Sequence, residues 1–154
     1  MRTPTAISLF SGCGGMDLGF VQAGFDVLWA NDINGFACKT YAHNIGDHII
    51  HGDITEIDYQ SIPTADIIIG GFPCQDFSML WKRGGVSTDR GNLYKNFVDL
   101  VAQKNPKVFV AENVKGILTA NKKQAIKQII EDFSDTGEIG YNTKAILVNF
   151  ANYG

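Results

Sequence analysis

The chain has 154 residues, of which 45% are hydrophobic and 11% aromatic, and its formal net charge is −3. This length suits one domain with a hydrophobic core, and the aromatic content excludes an intrinsically disordered chain. No apolar run reaches the roughly 18 residues of a membrane helix and no signal-peptide pattern precedes the first apolar run, so we expect a cytoplasmic protein with no membrane span. The negative charge also gives no basic surface for tight nonspecific binding of nucleic acid.

The cysteine and histidine spacings indicate neither a metal site nor disulfide bonds. Cys13, Cys38 and Cys74 form no CxxC spacing, so we expect reduced thiols and neither a disulfide framework nor a zinc ribbon. His48 and His51 have no third ligand at a plausible spacing. We therefore predict no metal site.

Short apolar runs alternate with helix-length amphipathic stretches along the chain. Runs of four or five apolar residues bounded by Gly, Asp or Asn are typical of strands buried on both faces of a parallel sheet. They predict strands over 6–10, 26–30, 47–50, 66–70, 108–111 and 144–148, with helices over 15–23, 34–44, 92–104 and 121–135. This order predicts an α/β, doubly wound, mostly parallel sheet in one domain over 1–154.

The turn after the first predicted strand is rich in glycine. The sequence Phe10-Ser11-Gly12-Cys13-Gly14-Gly15 suits a backbone that approaches a nucleotide-like ligand. Asp32 ends the second strand, where doubly wound folds place an acid that binds ribose hydroxyls. The spacing lacks a full GxGxxG, so close packing of helix on sheet is the alternative. Asp53 ends the third strand, where a turn or capping role is equally natural.

Two further strand ends carry reactive side chains. Gly70-Gly71-Phe72-Pro73-Cys74-Gln75 follows the most apolar strand, and its glycines and proline would expose Cys74 as a candidate nucleophile. Cys38, on a predicted helix between aromatic residues, is instead expected to be inert core. Glu112 ends the next strand on the same edge of the sheet, where it either joins Cys74 at one substrate or caps the following segment. The aperiodic, polar stretch over 77–91 predicts a functional loop.

Taken in order, these motifs resemble the cytosine-C5 DNA methyltransferases of bacterial modification systems. The resemblance rests on FSGCGG, Asp32, GDI at 52–54, GGFPCQDFS at 70–78, DRGNLY at 89–94, ENVKG at 112–116 and NFANYG at 149–154. Pro-Cys-Gln followed one strand later by Glu-Asn-Val is the most specific pair. The resemblance implies a Rossmann-like, S-adenosylmethionine-dependent fold and methylation of C5 of a cytosine flipped out of duplex DNA.

The resemblance also implies roles for individual residues. Cys74 would attack C6 of the cytosine, and Glu112 would stabilise the ring from its N3 side. Residues implied to bind S-adenosylmethionine are Phe10, Gly12, Gly14, Gly15, Asp32, Ile33, Asp53, Ile54, Pro73 and Leu93. Residues implied to contact DNA are Ser78, Lys82, Arg83 and Arg90, although the three basic ones could equally belong to a solvated loop.

Three alternatives remain open from the sequence. A nicotinamide-dependent oxidoreductase would share the glycine turn and Asp32, but it would give Cys74 and Glu112 no joint task. An RNA cytosine methyltransferase and a catalytically silent cofactor-binding module or subunit are the others.

The family pattern continues past Gly154 with motifs for target recognition and cofactor binding. We therefore expect an incomplete catalytic domain that is inactive alone and is complemented by a C-terminal part or chain. We also expect the strand over 144–148 to lack a neighbour and so to be displaced, disordered or paired with another chain. The run at 108–110 should then form an open apolar edge.

Overall fold

The computed structural model describes residues 2–73, 93–138 and 140–153. Its strands are β1 (Thr5–Leu9), β2 (Asp26–Asp32), β3 (Ile49–His51), β4 (Ile67–Gly70) and β5 (Val108–Ala111). Its helices are α1 (Gly15–Gln22), α2 (Gly35–Asn44), α3 (Leu93–Lys104) and α4 (Gln124–Ser134). Short 3₁₀ turns lie at Ile54–Glu56, Tyr59–Ser61, Lys115–Leu118, Ala120–Lys123 and Phe150–Asn152.

The described strands form one parallel sheet in the order β3-β2-β1-β4-β5. The chain winds from β1 through β2 to β3 on one side, and then returns to place β4 and β5 on the other. Ligands of doubly wound sheets bind beyond the carboxyl ends of the strands, where this direction reverses. The crevice between the ends of β1 and β4 is therefore the expected site, and the predicted α/β, doubly wound fold is confirmed.

The core is densest where α3 and α4 cover β1, β4 and β5. Ile7, Ile68 and Phe97 are fully buried there, and Phe133 stacks on Phe109 with ring centroids 4.1 Å apart. This continuous apolar layer explains why β1 and β4 are recognisable from composition alone. It also holds the strand ends in fixed positions.

The amino edge of the sheet is held by one carboxylate. Asp66 accepts hydrogen bonds from the Thr5 amide and hydroxyl and forms ion pairs with Arg2 and Lys107. The hydrogen bond from Lys107, followed by that from the Thr5 backbone, holds the pKa of Asp66 well below its ordinary value. These contacts join the starts of β1, β4 and β5 at the edge opposite the expected site.

The strand predicted over 144–148 is absent, in agreement with the expectation that this segment is displaced from the sheet. These residues form no strand, and Ile146, Leu147 and Val148 are largely exposed. A strand needs a hydrogen-bonding neighbour, and in the part of the chain that the structure describes, β5 pairs with β4 alone. The expected open edge is present, because Val108 and Val110 are exposed.

None of the described helices is both long and apolar enough to cross a bilayer.

Candidate active site

The turn between β1 and α1 has an unusual backbone. Phe10 has a φ of 55°, which is uncommon outside glycine, and such strain occurs preferentially at ligand sites. Gly14 has a φ of 87° and is the N-cap of α1, and an added Cβ there would collide with the side chain of Ile45 and lie 2.7 Å from the Tyr41 ring. Glycine is therefore required at Gly14 by the protein's own packing, whatever ligand the turn receives.

Asp32 connects this turn to the end of β2. One of its carboxylate oxygens accepts from the Gly12 amide and the other from the Asn34 amide, each at 2.8 Å. Each oxygen retains a further lone pair for a ligand hydroxyl. Ile33 follows with 66% of its surface exposed, so an apolar face is available beside the carboxylate.

Asp53 and Ile54 both have contacts within the protein itself. Asp53 accepts from the Thr55 amide and hydroxyl and so begins a 3₁₀ turn, the capping role that its position suggested. The Ile54 side chain is only 2% exposed and belongs to the core. Any contact of Ile54 with a bound nucleoside would therefore have to use its backbone.

A buried polar chain lies beneath the glycine turn. Asp17 is fully buried and accepts from the Ser8 and Tyr41 hydroxyls at 2.8 Å each, while Ser11 donates to Ser8 at 2.9 Å. The Tyr41 hydroxyl also lies 3.0 Å from His48 Nε2. Burial raises the pKa of Asp17, although the hydrogen bonds from Tyr41 and Ser8 oppose that rise.

Replacing Tyr41 with phenylalanine should lower the free energy of unfolding at neutral pH by about 1–3 kcal/mol, because a buried acceptor on Asp17 loses its donor. A carboxyl with a raised pKa in the folded state makes the folded state less stable as pH rises through that pKa. Loss of the Tyr41 donor should raise the pKa of Asp17 further, so the destabilisation should be smaller in acid than at neutral pH. Urea unfolding across pH tests this.

The control for this substitution is Tyr153→Phe, since Tyr153 is 78% exposed. It should leave stability unchanged at every pH. Equal losses for Tyr41→Phe at acid and neutral pH would contradict the role given to the Asp17 carboxylate.

Glu112 lies against the end of β4. Its amide donates to the Gly70 carbonyl at 2.9 Å, and an added Cβ on Gly71 would lie 2.9 Å from its Oε2. The side chain therefore lies over Gly71, toward the segment that continues to Pro73. Asn113 next to it donates from Nδ2 to the Phe72 carbonyl at 2.8 Å. Glu112 and Asn113 thus hold Gly70 and Phe72, just before Pro73, from the neighbouring strand.

A cavity of about 200 Å³ joins these parts at the carboxyl ends of β1 and β4. Glu112 and Gly71 line it together with Phe10 and Ser11, the first two residues of the glycine turn, and with Asp17. Its full lining among the described residues is Ser8, Leu9, Phe10, Ser11, Met16, Asp17, Gly70, Gly71 and Glu112. The structure therefore brings the predicted cofactor turn and the predicted catalytic acid to one space.

A larger groove of about 570 Å³ lies between α2 and β3, against Phe36, Lys39 and His51. It shares no lining residue with the cavity at Glu112.

Several predicted site residues lie outside the described residues or at their border. Cys74, Ser78, Lys82, Arg83 and Arg90 all fall within 74–92 and are not described. Pro73 is exposed at the end of the described turn, and Leu93 is the first residue of α3. Among the described residues, no three His, Cys, Asp or Glu side chains come together as metal ligands would.

The residues present fit a nucleoside cofactor with a ribose. Asp32 supplies an acceptor with unused lone pairs, Ile33 supplies an exposed apolar surface, and the strained Phe10 backbone borders the cavity. These three groups match the hydroxyls, the base and the tail of S-adenosylmethionine.

The sequence model of the family described as "C-5 cytosine-specific DNA methylase" matches residues 5–154. The chain belongs to this family. Among its relatives, the type II methyltransferase M.NgoFVII of Neisseria gonorrhoeae is 58% identical over 98% of this chain. The DNA (cytosine-5-)-methyltransferase M.ApeKI of Aeropyrum pernix is 42% identical over 87% of it. This chain covers 40% and 34% of those two proteins, so it spans well under half of their length.

Solved structures agree on the fold. A prophage-encoded protein of E. coli, assigned as a DNA modification methyltransferase, superposes with a TM-score of 0.68 at 32% identity, covering 86% of this chain and 38% of that one. The Dnmt2 methyltransferase of S. pombe superposes with a TM-score of 0.64 at 22% identity, covering 86% of this chain and 41% of that one. The Rossmann-like methyltransferase fold implied by the sequence motifs is confirmed, and the family match removes the nicotinamide-dependent alternative.

Sequence reasoning missed two residues that build the site. The motif ENVKG contains Asn113 but does not reveal that its amide holds Phe72. The helix predicted over 15–23 contains Asp17 but gives it no role. A lone acid among apolar residues near a helix start was the available signal for Asp17, because such a carboxylate is buried only when it is hydrogen-bonded.

Proposed function

We propose that the protein of which these residues form the catalytic part is a DNA (cytosine-5-)-methyltransferase that uses S-adenosylmethionine. The observation that carries the proposal is the cavity that Glu112 and the glycine turn share. In a member of the C-5 cytosine methylase family, that arrangement gives one space to the methyl donor and to the group that acts on the base.

Cys74 is the proposed nucleophile. C5 of cytosine is a poor nucleophile until a group adds across the 5,6 double bond, and a thiolate is the protein group best suited to that addition. Bond formation between the Cys74 sulfur and C6 makes C5 nucleophilic. After C5 has gained its methyl group, loss of the C5 proton to a base and departure of the Cys74 sulfur restore the aromatic ring. The product is 5-methylcytosine.

Glu112 is the proposed acid at N3. As sulfur adds to C6, negative charge develops in the ring, and a proton held at N3 by the carboxyl group neutralises it. The backbone hydrogen bond from Glu112 to Gly70 fixes where β5 ends, and the close contact with Gly71 fixes where the carboxylate lies. Asn113 holds the carbonyl of Phe72, two residues before Cys74 in the sequence.

S-adenosylmethionine, when bound, supplies an electrophilic methyl group. Asp32 would accept from the ribose hydroxyls, and Ile33 would pack on the adenine. Phe10, Gly12, Gly14 and Gly15 would surround the methionine end, with Asp53, Ile54, Pro73 and Leu93 completing the site.

The base must leave the duplex before the thiolate can reach C6, because both faces of the ring are stacked in DNA. We assign the segment 77–91 to closing over the flipped base, with Ser78, Lys82, Arg83 and Arg90 at the DNA backbone. Activity and target choice also require residues that match the rest of the longer relatives, so this chain alone should not methylate DNA.

A chimera tests the function directly. This chain replaces the matching segment of the M.NgoFVII methyltransferase, to which it is 58% identical. Transfer of labelled methyl from S-adenosylmethionine to cytosine C5 in duplex DNA is then measured, with the chain alone as the comparison. We expect transfer by the chimera and none by the chain alone. A folded chimera that binds the cofactor but methylates no cytosine would overturn the proposed function.

A further inference from the structure

The segment after β5 carries a local positive charge that the whole chain lacks. Residues 113–130 contain four lysines and no aspartate or glutamate, in a chain whose net charge is −3. We call Lys115, Lys122, Lys123 and Lys127 the lysine surface. All four are exposed, and none forms an ion pair with a described carboxylate. Their charge is therefore available to an outside partner.

The backbone beneath the lysine surface is anchored to the core. Ile117 is 8% exposed and Ala125 is fully buried, so the two ends of the 3₁₀ turns between them are fixed. Leu118 and Ala120 pack against the same core cluster. The lysines are thus presented by an ordered path, which lowers the entropy cost of ordering them on a partner.

Three consecutive residues in this path are strained. Asn121, Lys122 and Lys123 have φ values of 47°, 53° and 71°, and none of them is glycine. Side chains with a Cβ disfavour this left-handed region, and such strain persists preferentially at functional sites. Here it occurs where two lysines are adjacent.

The position of the segment agrees with a role at the substrate. It begins directly after Glu112, at the carboxyl end of β5, on the same edge of the sheet as the cavity. The nearest acids along the chain are Glu112 before it and Glu131 after it. A duplex that delivers a base to the cavity would pass close to this edge.

We propose that the lysine surface contacts backbone phosphates of the duplex that carries the target cytosine. The inference rests on the proposed function and adds a DNA contact outside the 77–91 segment. Lysine ammonium groups bind phosphates as point charges without reading base sequence. The lysine surface therefore positions the duplex, and the target sequence is selected elsewhere.

Duplex binding by the chain and by the chimera, measured by fluorescence anisotropy from about 20 to about 200 mM salt, tests the proposal. Each phosphate contact contributes about 0.9 to the slope of log K against log salt. The double variant Lys122→Gln/Lys123→Gln should therefore reduce that slope by about 2 and weaken binding at 0.1 M salt by about 10- to 100-fold. The variant Lys122→Arg/Lys123→Arg should retain both slope and affinity.

The matched control is Lys39→Gln/Lys144→Gln, which changes the net charge equally at two exposed lysines outside the lysine surface. It should leave the slope nearly unchanged. If the two glutamine variants gave equal slopes and kept their melting temperatures, the proposed phosphate contact would be overturned. Methyl transfer by the chimera would still support the proposed function. If Lys122→Gln/Lys123→Gln weakened binding to an RNA hairpin but left binding to duplex DNA unchanged, the proposal would also be overturned. Conversely, lysine-dependent duplex binding without methyl transfer would overturn only the proposed function.

Discussion

Replacing Cys74 with serine should reduce methyl transfer by the chimera to below detection. A serine hydroxyl is a far weaker nucleophile than a thiolate at neutral pH, so C6 is not attacked and C5 stays unreactive. Binding of S-adenosylmethionine should be nearly intact, because the groups assigned to the cofactor are left in place. Measuring transfer by labelled methyl incorporation and binding by calorimetry separates the two effects.

The other two cysteines provide matched controls for Cys74. Cys13 is exposed in the glycine turn and Cys38 is buried, with its thiol hydrogen-bonded to the Asp32 carbonyl. Burial raises the pKa of the Cys38 thiol, as expected for inert core. Cys13→Ser and Cys38→Ser should each retain measurable transfer. Full activity in Cys74→Ser would remove Cys74 from the reaction.

Trapping gives a second readout of the same bond. Duplex DNA with 5-fluorocytosine at the target should form a stable covalent complex with the chimera, because fluorine at C5 prevents the final loss of a proton. The complex should be absent in Cys74→Ser. A covalent complex that persists in this variant would place the bond on another residue.

Replacing Glu112 with glutamine should slow methyl transfer by a factor of about 10²–10⁴, the range for loss of a general acid. Glutamine keeps the shape and the contact with Gly71 but cannot supply the proton at N3. Single-turnover rates with saturating cofactor and DNA isolate this step from binding. A rate within twofold of the unaltered protein would exclude the assigned role.

Gly71 offers a separate test of where the Glu112 carboxylate must lie. An alanine Cβ at Gly71 would lie 2.9 Å from Oε2, so the carboxylate would have to move. Gly71→Ala should therefore lower the transfer rate when Glu112 is present and add little to Glu112→Gln. Additive losses would show that the alanine acts by another route, such as distortion of the turn that leads to Pro73.

β1 and β4 were predictable because they are buried on both faces, and the β5 run is apolar although Val108 and Val110 are exposed. The apolar runs around Ile7, Ile68 and Val110 predicted β1, β4 and β5 within about a residue, and Asn34 caps α2 as its side-chain chemistry favours. The start of α4 was predicted three residues too early. The helical spacing of its apolar residues could not reveal that the backbone at 121–123 is left-handed.

The strand predicted over 144–148 is absent for a different reason. Apolar, β-branched composition reports that a segment suits a strand, but pairing depends on whether another strand lies beside it. Ile146 to Val148 have no such neighbour among the described residues, and they remain exposed. The outer edge of β5 is open because no described strand pairs with it.

The sequence by itself determined the α/β fold class, the family and the candidate site residues, because glycine, cysteine and carboxylate at strand ends are local features of the chain. Only the tertiary structure decided that Glu112 lies over Gly71 and shares a cavity with the glycine turn. It also decided that Asp17 is buried between Ser8 and Tyr41. These outcomes depend on the register between strands and on packing between distant segments, and a linear pattern contains neither.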